Sequence, residues 1–178
     1  GERDNFCVLR KSYRNTVEIA NFASDILAHG EFPGYGAEPV IRHGEAVGIR
    51  QTAGRDLYRE AAKICKGWQT EGFDTIAVIC RDQKQAQETA ELLQKELPVM
   101  PWDPEKASFE KGIMVFPVEY TKGLEFDAVL LLSPDRESYP IDDGHAKLLY
   151  VAATRALHRL EVLHTGNLTG LIADPIPK

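Results

Sequence analysis

The sequence lacks the short motifs that mark the commonest catalytic sites of α/β proteins. It contains no G-x-x-x-x-G-K-[ST] and no G-x-G-x-x-G, so the chain cannot cradle a triphosphate in a phosphate-binding loop of its own. H-E-x-x-H, paired Cys-x-x-Cys and G-x-S-x-G are also absent, which leaves metalloprotease, zinc and esterase functions without support. The five histidines form no metal-ligand spacing, so we predict no metal site in this chain.

Long apolar runs and a disulfide pattern are missing as well. No run of about 18 apolar residues occurs, which excludes a predicted membrane span, and the polar segment Gly1–Asn5 does not resemble a signal peptide. Cys7, Cys65 and Cys80 are odd in number, widely spaced and set in apolar runs. They are therefore predicted to be reduced, buried thiols of a cytoplasmic protein.

Basic residues are outnumbered by acidic ones, which bears on nucleic-acid binding. The net charge is −6 and the pI is about 5.4, whereas a domain that binds nucleic acid alone usually shows a basic face. The composition, with 43% apolar and 27% charged residues, is that of a soluble globular domain. A length of 178 residues predicts one domain, placed at 1–164 and followed by a loose tail at 165–178.

Alternating strand and helix patterns predict the fold class. Thr75–Cys80 is a continuous apolar run of strand length, and Asp82 then begins a helix whose apolar stripe is Ala86, Ala90, Leu93 and Leu97. The run Ile113–Phe126 follows as a second strand and a polar loop, and Ala128–Leu132 as a third strand. This rhythm predicts an α/β protein with a mainly parallel sheet covered by helices on both faces.

The remaining predicted elements flank this unit. One helix begins at Asn15, which with Glu18 resembles a capping box, and the Gly- and Pro-rich segment Gly30–Gly48 is a surface loop. The other predictions, in chain order, are a strand at Val47–Gln51, a helix from Asp56 to near Gly72, an irregular stretch at Pro98–Lys111, a polar loop at Ser133–Pro140, a helix capped by Asp142 or Asp143 that runs to Ala156, and a strand at Leu160–His164.

Three polar clusters at the ends of predicted elements could carry chemistry. They are Ser12–Arg14, Thr121–Phe126 and Tyr150–Ala156. A tyrosine ring can stack on a base, and arginine guanidinium groups bind phosphate oxygens. Each cluster also has a structural interpretation: a packed ring beside a solvated arginine, a turn that needs glycine for its backbone angle, and an arginine paired with an acidic residue.

The order and spacing of these clusters resemble a known family. Leu9–Thr16 resembles motif IV, Val115–Phe126 motif V, and Tyr150–Ala156 motif VI of the second RecA-like domain of UvrD/Rep-type superfamily 1 DNA helicases. Within that family the similarity is greatest to the HelD (helicase IV-like) branch, mainly through Pro117, Tyr120 and the segment 153–160. The resemblance implies a RecA-like fold that lacks its own P-loop.

The resemblance also implies a role for individual residues around ATP. Tyr13 would stack on the adenine, Arg14 would reach the γ-phosphate, and Gly123 with Glu125 would border the nucleotide. Arg155 would be the arginine finger, a group that stabilises charge on the transferring phosphoryl group. Arg14 and Arg155 are thus the predicted catalytic residues.

Partners follow from the same resemblance. ATP with Mg would be shared with an N-terminal P-loop domain of the same polypeptide, which would hold the metal, and the isolated chain would not hydrolyse ATP. DNA would be bound through the full-length protein, with Tyr120, Thr121 and Lys122 as the nucleic-acid contacts. These roles make the chain the C-terminal half of an ATP-driven helicase or translocase.

Two residues depart from the UvrD pattern. Pro117 and Glu119 stand where UvrD-type motif V has a threonine and a histidine, and neither can donate a hydrogen bond from its side chain to a phosphate. This favours a second hypothesis, a non-enzymatic module that docks on RNA polymerase, as members of the HelD branch do. A flavodoxin-like small-molecule domain is a third hypothesis, disfavoured because no phosphate-binding glycine loop follows the first strand.

Overall fold

A computed structural model describes residues 14–30, 42–101, 103 and 111–172. The predicted roles of Tyr13 and Cys7 lie outside these residues, as do most of the loop at 30–48 and of the irregular stretch at 98–111. The elements, in chain order, are α1 (Val17–His29), β1 (Gly48–Gln51), α2 (Leu57–Thr70), β2 (Thr75–Cys80), α3 (Gln83–Leu93), β3 (Met100–Pro101), β4 (Gly112–Pro117), β5 (Phe126–Leu132), α4 (Asp143–Thr154) and β6 (Ala156–His164).

The described strands form one parallel sheet of six strands in the order β1-β6-β5-β2-β4-β3. β2 lies near the centre and pairs with β4 on one side and β5 on the other, with Ile76 opposite both Ile113 and Ala128. All but the first residue of β2 are buried, as expected for a strand covered on both faces. The α/β class with a parallel sheet is confirmed.

Helices cover both faces of this sheet. α1 and α4 pack on one face, where Ile26, Leu149 and Val129 belong to the same apolar cluster. α2 and α3 pack on the other face, where Trp68 and Leu93 contact a second cluster that includes Leu130. α1 and α4 approach closely at Gly30, because a Cβ built there would lie 2.3 Å from the Cβ of Ala146.

The predicted start of α1 is wrong by one residue. The N-cap is Thr16, whose hydroxyl accepts a hydrogen bond from the Ile19 amide at 3.3 Å, and Asn15 has another use described below. Glu18 instead contacts the segment that precedes β1. Its carboxylate accepts a hydrogen bond from the Gly44 amide at 2.7 Å and lies 2.9 Å from His43 Nδ1. The predicted capping box is therefore absent.

This environment makes Glu18 a source of acid sensitivity. The hydrogen bond from His43, and secondly that from Gly44, lower the pKa of Glu18 from 4.5 to about 2. A carboxylate with a depressed folded-state pKa contributes stability above its unfolded pKa and loses it as the pH falls through the folded pKa. The contribution of Glu18 is thus complete above about pH 4.5 and lost towards about pH 2.

We expect Glu18→Gln to make stability less dependent on pH in that window. Urea unfolding of the domain at a series of pH values measures it, and the quantity compared is the slope of the unfolding free energy against pH. Glu91→Gln, on the exposed side of α3, is the matched control. Equal slopes for wild type and Glu18→Gln would show that the Glu18 contacts do not hold the carboxylate ionised.

The second half of the chain differs from prediction at two boundaries. α4 is capped by Asp142 as predicted, but it ends at Thr154 rather than Ala156, since Ala156 already pairs with Phe126 in the sheet. The segment 165–172 is not a loose tail: Leu171 is fully buried, Leu168 and Ile172 nearly so, and Leu168 forms a β-bridge with Asp135. Residues 173–178 of the predicted tail lie outside the described part.

Two of the three cysteines lie in the core. Cys65 on α2 and Cys80 at the end of β2 are free and fully buried, as the sequence predicts. Burial raises the pKa of each thiol to about 12, so neither is a reactive thiolate at neutral pH. Within the described residues, no helix is long and apolar enough to cross a membrane.

Candidate functional site

The predicted site residues meet where two neighbouring strands begin. Glu125 directly precedes β5, and Arg155 directly precedes β6, its parallel neighbour. The Phe126 amide donates to the Arg155 carbonyl at 2.9 Å, which joins the two chain segments at this end of the sheet. The segments predicted to be motifs V and VI are thereby side by side at the amino ends of the strands.

Arg14 joins this pair from the segment before α1. Its guanidinium forms an ion pair with the Glu125 carboxylate. The Arg14 side chain is 77% exposed and that of Glu125 is 30% exposed, so the pair lies at the surface and contributes little to stability. Its significance is positional: residues 111 apart in sequence present a guanidinium and a carboxylate together.

Arg155 is more enclosed and is held by its surroundings. Its Nε donates to the Val151 carbonyl at 2.9 Å, Nη1 to the Leu124 carbonyl at 3.0 Å, and Nη2 to the Thr154 hydroxyl at 3.3 Å. Burial lowers the pKa of the guanidinium, while the nearby Glu125 carboxylate opposes that shift. Three of the five N–H donors have partners among the described residues, which leaves two for an anionic ligand.

Asn15 is a site residue that the sequence interpretation missed. Its side chain is buried, and its amide nitrogen donates to the carbonyls of Thr154 at 3.1 Å and Ala156 at 2.6 Å. These carbonyls stand on either side of Arg155 in the chain. Only adjacency to Tyr13 and Arg14 could have drawn attention to Asn15, because the contact spans 139 residues of sequence.

The connection between the parallel strands β4 and β5, which lies in the predicted motif V, is unusual because it contains no α-helix. β4 and β5 both run parallel to β2, so residues 118–125 return from the carboxyl end of β4 to the amino end of β5 without an α-helix. Eight residues can span at most about 28 Å when extended, enough to cross a strand about 20 Å long. Val118 is fully buried on the face covered by α1 and α4, which fixes the path of this crossover.

A tight turn at Thr121–Leu124 ends the crossover. The Leu124 amide donates to the Thr121 carbonyl at 3.0 Å, and Gly123 has φ of +83°, an arrangement typical of a type II turn. Only glycine adopts this backbone angle without strain, so the structural interpretation accounts for Gly123. Among the described residues, no atom lies within 4 Å of a Cβ built at Gly123, so the turn is not closely packed there.

The three predicted nucleic-acid contacts have different environments. Lys122 is exposed at the tip of the turn, and Tyr120 is 45% exposed. Thr121 is fully buried, and its hydroxyl donates to the Val118 carbonyl at 2.7 Å. The side chain of Thr121 therefore stabilises the turn, and a contact of this residue with nucleic acid stays a prediction.

The two positions that depart from the UvrD pattern lie at the carboxyl end of β4. Pro117 is buried opposite Cys80, and Glu119 is exposed with its carboxylate 3.5 Å from Arg81 Nη1. Arg81 also donates through Nε to the Ser138 carbonyl at 2.9 Å. At this edge a carboxylate thus faces solvent where the UvrD pattern has a group that can donate to phosphate.

A cleft beside the site is built from paired groups. It has a volume of about 530 Å³, and Thr16, Arg42, Asp127 and His158 are among its lining residues. Arg42 Nη1 is 2.6 Å from His158 Nδ1, and Asp127 accepts the backbone amides of residues 74 and 75. Because each of these side chains already has a hydrogen-bond partner within the domain, the cleft itself indicates no ligand.

Arg14, Glu125 and Arg155 form a cluster, here named the half-site, that contains groups of the kind that bind phosphate. Two guanidinium groups flank one carboxylate, and no glycine-rich loop is present to enclose a triphosphate. Among the described residues, no group of three histidine, cysteine, aspartate or glutamate side chains is placed to hold a metal ion. A bound nucleotide and its metal would need further groups from outside this sheet.

Comparison with known proteins gives a family match over part of the chain. Residues 112–163 match the UvrD-like helicase C-terminal domain. The matched segment begins at β4, contains Glu125 and Arg155, and ends within β6. It accounts for less than a third of the chain, so the likeness of the remainder rests on structure.

A solved structure extends the similarity to nearly the whole chain. The C-terminal domain of a possible DNA helicase from Lactobacillus plantarum WCFS1 superposes with a TM-score of 0.75 at 25% identity, covering 92% of this chain and 93% of that one. The RecA-like α/β fold is thereby confirmed. No curated protein sequence matches the chain. The two similarities support the UvrD-like helicase class, and neither names the HelD branch or RNA polymerase.

Proposed function

We propose that the chain is the C-terminal motor domain of an ATP-dependent superfamily 1 DNA helicase or translocase. Arg14, Glu125 and Arg155 would complete an ATP site whose P-loop and Mg²⁺ ligands belong to an N-terminal domain of the same polypeptide. The observation that carries the proposal is the meeting of these three residues at the amino ends of β5 and β6, supported by the UvrD-like helicase match over 112–163.

The chemistry assigned to the chain is positioning and charge stabilisation. Arg155, held by the Leu124 and Val151 carbonyls, would direct its outer N–H groups at the transferring phosphoryl group. Arg14, which is more exposed, would reach the γ-phosphate and exchange its Glu125 partner for the nucleotide. Tyr13 precedes Arg14 and keeps its proposed role in adenine stacking.

Opening and closing of the cleft between the two domains would move nucleic acid. Tyr120 and Lys122 are the proposed contacts with nucleic acid. Both are exposed, and both lie on the crossover at 118–125, which ends at Glu125. Since the chain carries a net charge of −6, nucleic-acid binding would depend on the rest of the polypeptide. We place this motor in the cytoplasm.

A second candidate is a HelD-like module that docks on RNA polymerase. The observation in its favour is the carboxyl edge of β4, where Pro117 is buried and Glu119 is exposed beside Arg81. A carboxylate at this position repels phosphate and suits a basic protein surface better than a DNA strand. The same fold would then serve protein docking, with ATP turnover secondary.

The first test compares ATP turnover of the isolated chain with that of the full-length polypeptide. We expect negligible turnover from the isolated chain, because it has no P-loop, and turnover stimulated by single-stranded DNA from the full-length protein. Stimulation by RNA polymerase but not by DNA would favour the docking module. Turnover by the isolated chain at motor rates would contradict both proposals.

A further inference from the structure

Asn15 has an environment that its neighbours' proposed contacts with ATP do not explain. The side chain is 3% exposed, although asparagine is usually a surface residue. Its single amide nitrogen serves two backbone carbonyls, those of Thr154 and Ala156. A buried amide that uses both of its N–H groups in this way fixes the relative position of the elements it joins.

The two carbonyls belong to the junction that carries Arg155. α4 ends at Thr154, and the last carbonyls of a helix have no intrahelical partner. β6 begins at Ala156, so one residue, Arg155, forms the whole connection between helix and strand. By binding on both sides of this residue, Asn15 caps the helix and sets the direction from which the Arg155 side chain leaves the backbone.

The same backbone unit also carries Arg14. The Arg14 carbonyl accepts from the Arg42 guanidinium, which also donates to the Leu157 carbonyl at 3.0 Å. Residues 14 and 15 are thus fastened to 154–157 from two directions. A displacement of residues 14 and 15 therefore also displaces residues 154–157. Both guanidinium groups of the half-site, those of Arg14 and Arg155, are attached to these two segments.

We propose that Asn15 is a positioning residue that holds Arg14 and Arg155 at a fixed separation for ATP hydrolysis. This proposal rests on the proposed function. In it, Asn15 acts through Arg14 and Arg155 and does not contact the nucleotide itself. Catalytic groups must be held within about 0.5 Å of the productive geometry by their supporting residues. Misplacement by about 1 Å can reduce turnover by roughly 10²-fold.

The experiment measures ATP turnover of the full-length polypeptide carrying Asn15→Ala. We expect kcat to fall by about 10- to 100-fold, with KM for ATP within about threefold of wild type. Loss of an interaction made mainly in the transition state lowers kcat without a matching change in substrate binding. A purely structural role would instead lower the melting temperature and the amount of active enzyme.

Thr169→Ala supplies the matched control. Thr169 is 1% exposed, and its hydroxyl donates to the Tyr139 carbonyl, so this variant also removes a buried hydrogen bond from a side chain to the backbone. It lies outside the half-site, so we expect kcat within about twofold of wild type at an equal loss of melting temperature. Equal kcat losses in the two variants would overturn the positioning role.

Further outcomes separate this proposal from the function on which it rests. Unchanged kcat in Asn15→Ala, when Arg155→Ala has lost turnover, overturns the role of Asn15 and leaves the motor intact. Unchanged turnover in both variants contradicts the proposed function itself. If Asn15→Ala does not fold, Asn15→Ser and Asn15→Asp replace it. Serine keeps a hydrogen-bond donor and an ionised aspartate does not, so we expect the higher kcat from Asn15→Ser. Equal kcat values in the two variants would overturn the proposal.

Discussion

Replacing Arg155 with alanine is expected to lower ATP turnover of the full-length polypeptide by about 10³-fold or more, since arginine fingers contribute roughly 10³–10⁵ in related NTPases. The expectation follows from the position of the guanidinium: it is half-buried, held by two backbone carbonyls, and set between Glu125 and the start of β6. The measurement is steady-state ATP turnover with saturating single-stranded DNA.

The control for Arg155 comes from β6, the strand that begins one residue after it. Arg159 lies on β6 four residues later and pairs with Glu71 at 2.8 Å, away from the half-site. Arg159→Ala removes an equally long, partly buried arginine, and we expect turnover within a few-fold of wild type. If Arg155→Ala turned over ATP as fast as Arg159→Ala, Arg155 would have only a structural role. That result would favour the second candidate function, a module that docks on RNA polymerase.

Arg155→Lys separates charge from geometry. Lysine keeps one positive charge but cannot reproduce the fork by which Arg155 contacts the Val151 and Leu124 carbonyls while facing outward. We expect turnover close to that of Arg155→Ala. Near-normal turnover would mean that charge alone suffices and that the observed anchoring has no catalytic importance.

The second large effect concerns α4, the helix that ends one residue before Arg155. Leu149 on α4 is fully buried between the sheet and α1. Truncating a buried leucine to alanine costs the transfer free energy of the lost atoms and leaves a cavity, so Leu149→Ala should lower the free energy of unfolding by about 2–5 kcal/mol. Urea unfolding of the isolated domain, followed by circular dichroism, measures the loss.

Leu148 provides a control one residue away. It lies on the same helix but is only partly buried, so Leu148→Ala makes the same chemical change with less loss of packing. We expect its effect on the unfolding free energy to be clearly smaller than that of Leu149→Ala. Equal losses would contradict the orientation of α4 described here.

Local patterns in the sequence are enough to predict much of the fold. Thr75–Cys80 is a continuous apolar run and becomes β2 with the same bounds. Asp82 caps α3 through the Gln85 amide because an aspartate before a helical stripe has that local use. In such places the residues that decide the structure are neighbours in sequence.

The predictions from sequence are wrong where contacts between residues distant in the chain determine the structure. The pattern of α4 continues to Ala156, but pairing of Ala156 with Phe126 takes that residue into the sheet. The segment 165–172 belongs to the predicted loose tail, yet Leu168 and Leu171 pack into the core formed by α1 and α4.

The candidate site shows the same division. Arg14, Glu125 and Arg155 lie in three separate clusters, and only a resemblance to helicase motifs predicts that they meet. Their position at the amino ends of β5 and β6 is set by the crossover at 118–125, which carries the chain back across the sheet. Asn15 could not be predicted, because its partners are backbone carbonyls and leave no mark in the sequence.

Reconstitution from two separate domains tests whether this chain supplies half of an ATP site. The P-loop domain and this domain are expressed separately, mixed at increasing concentration, and assayed for ATP turnover with single-stranded DNA. We expect negligible turnover from either domain alone, saturable turnover from the mixture, and none when this domain carries Arg155→Ala. Turnover by the P-loop domain that is unchanged on adding this chain, whether wild type or Arg155→Ala, would contradict it.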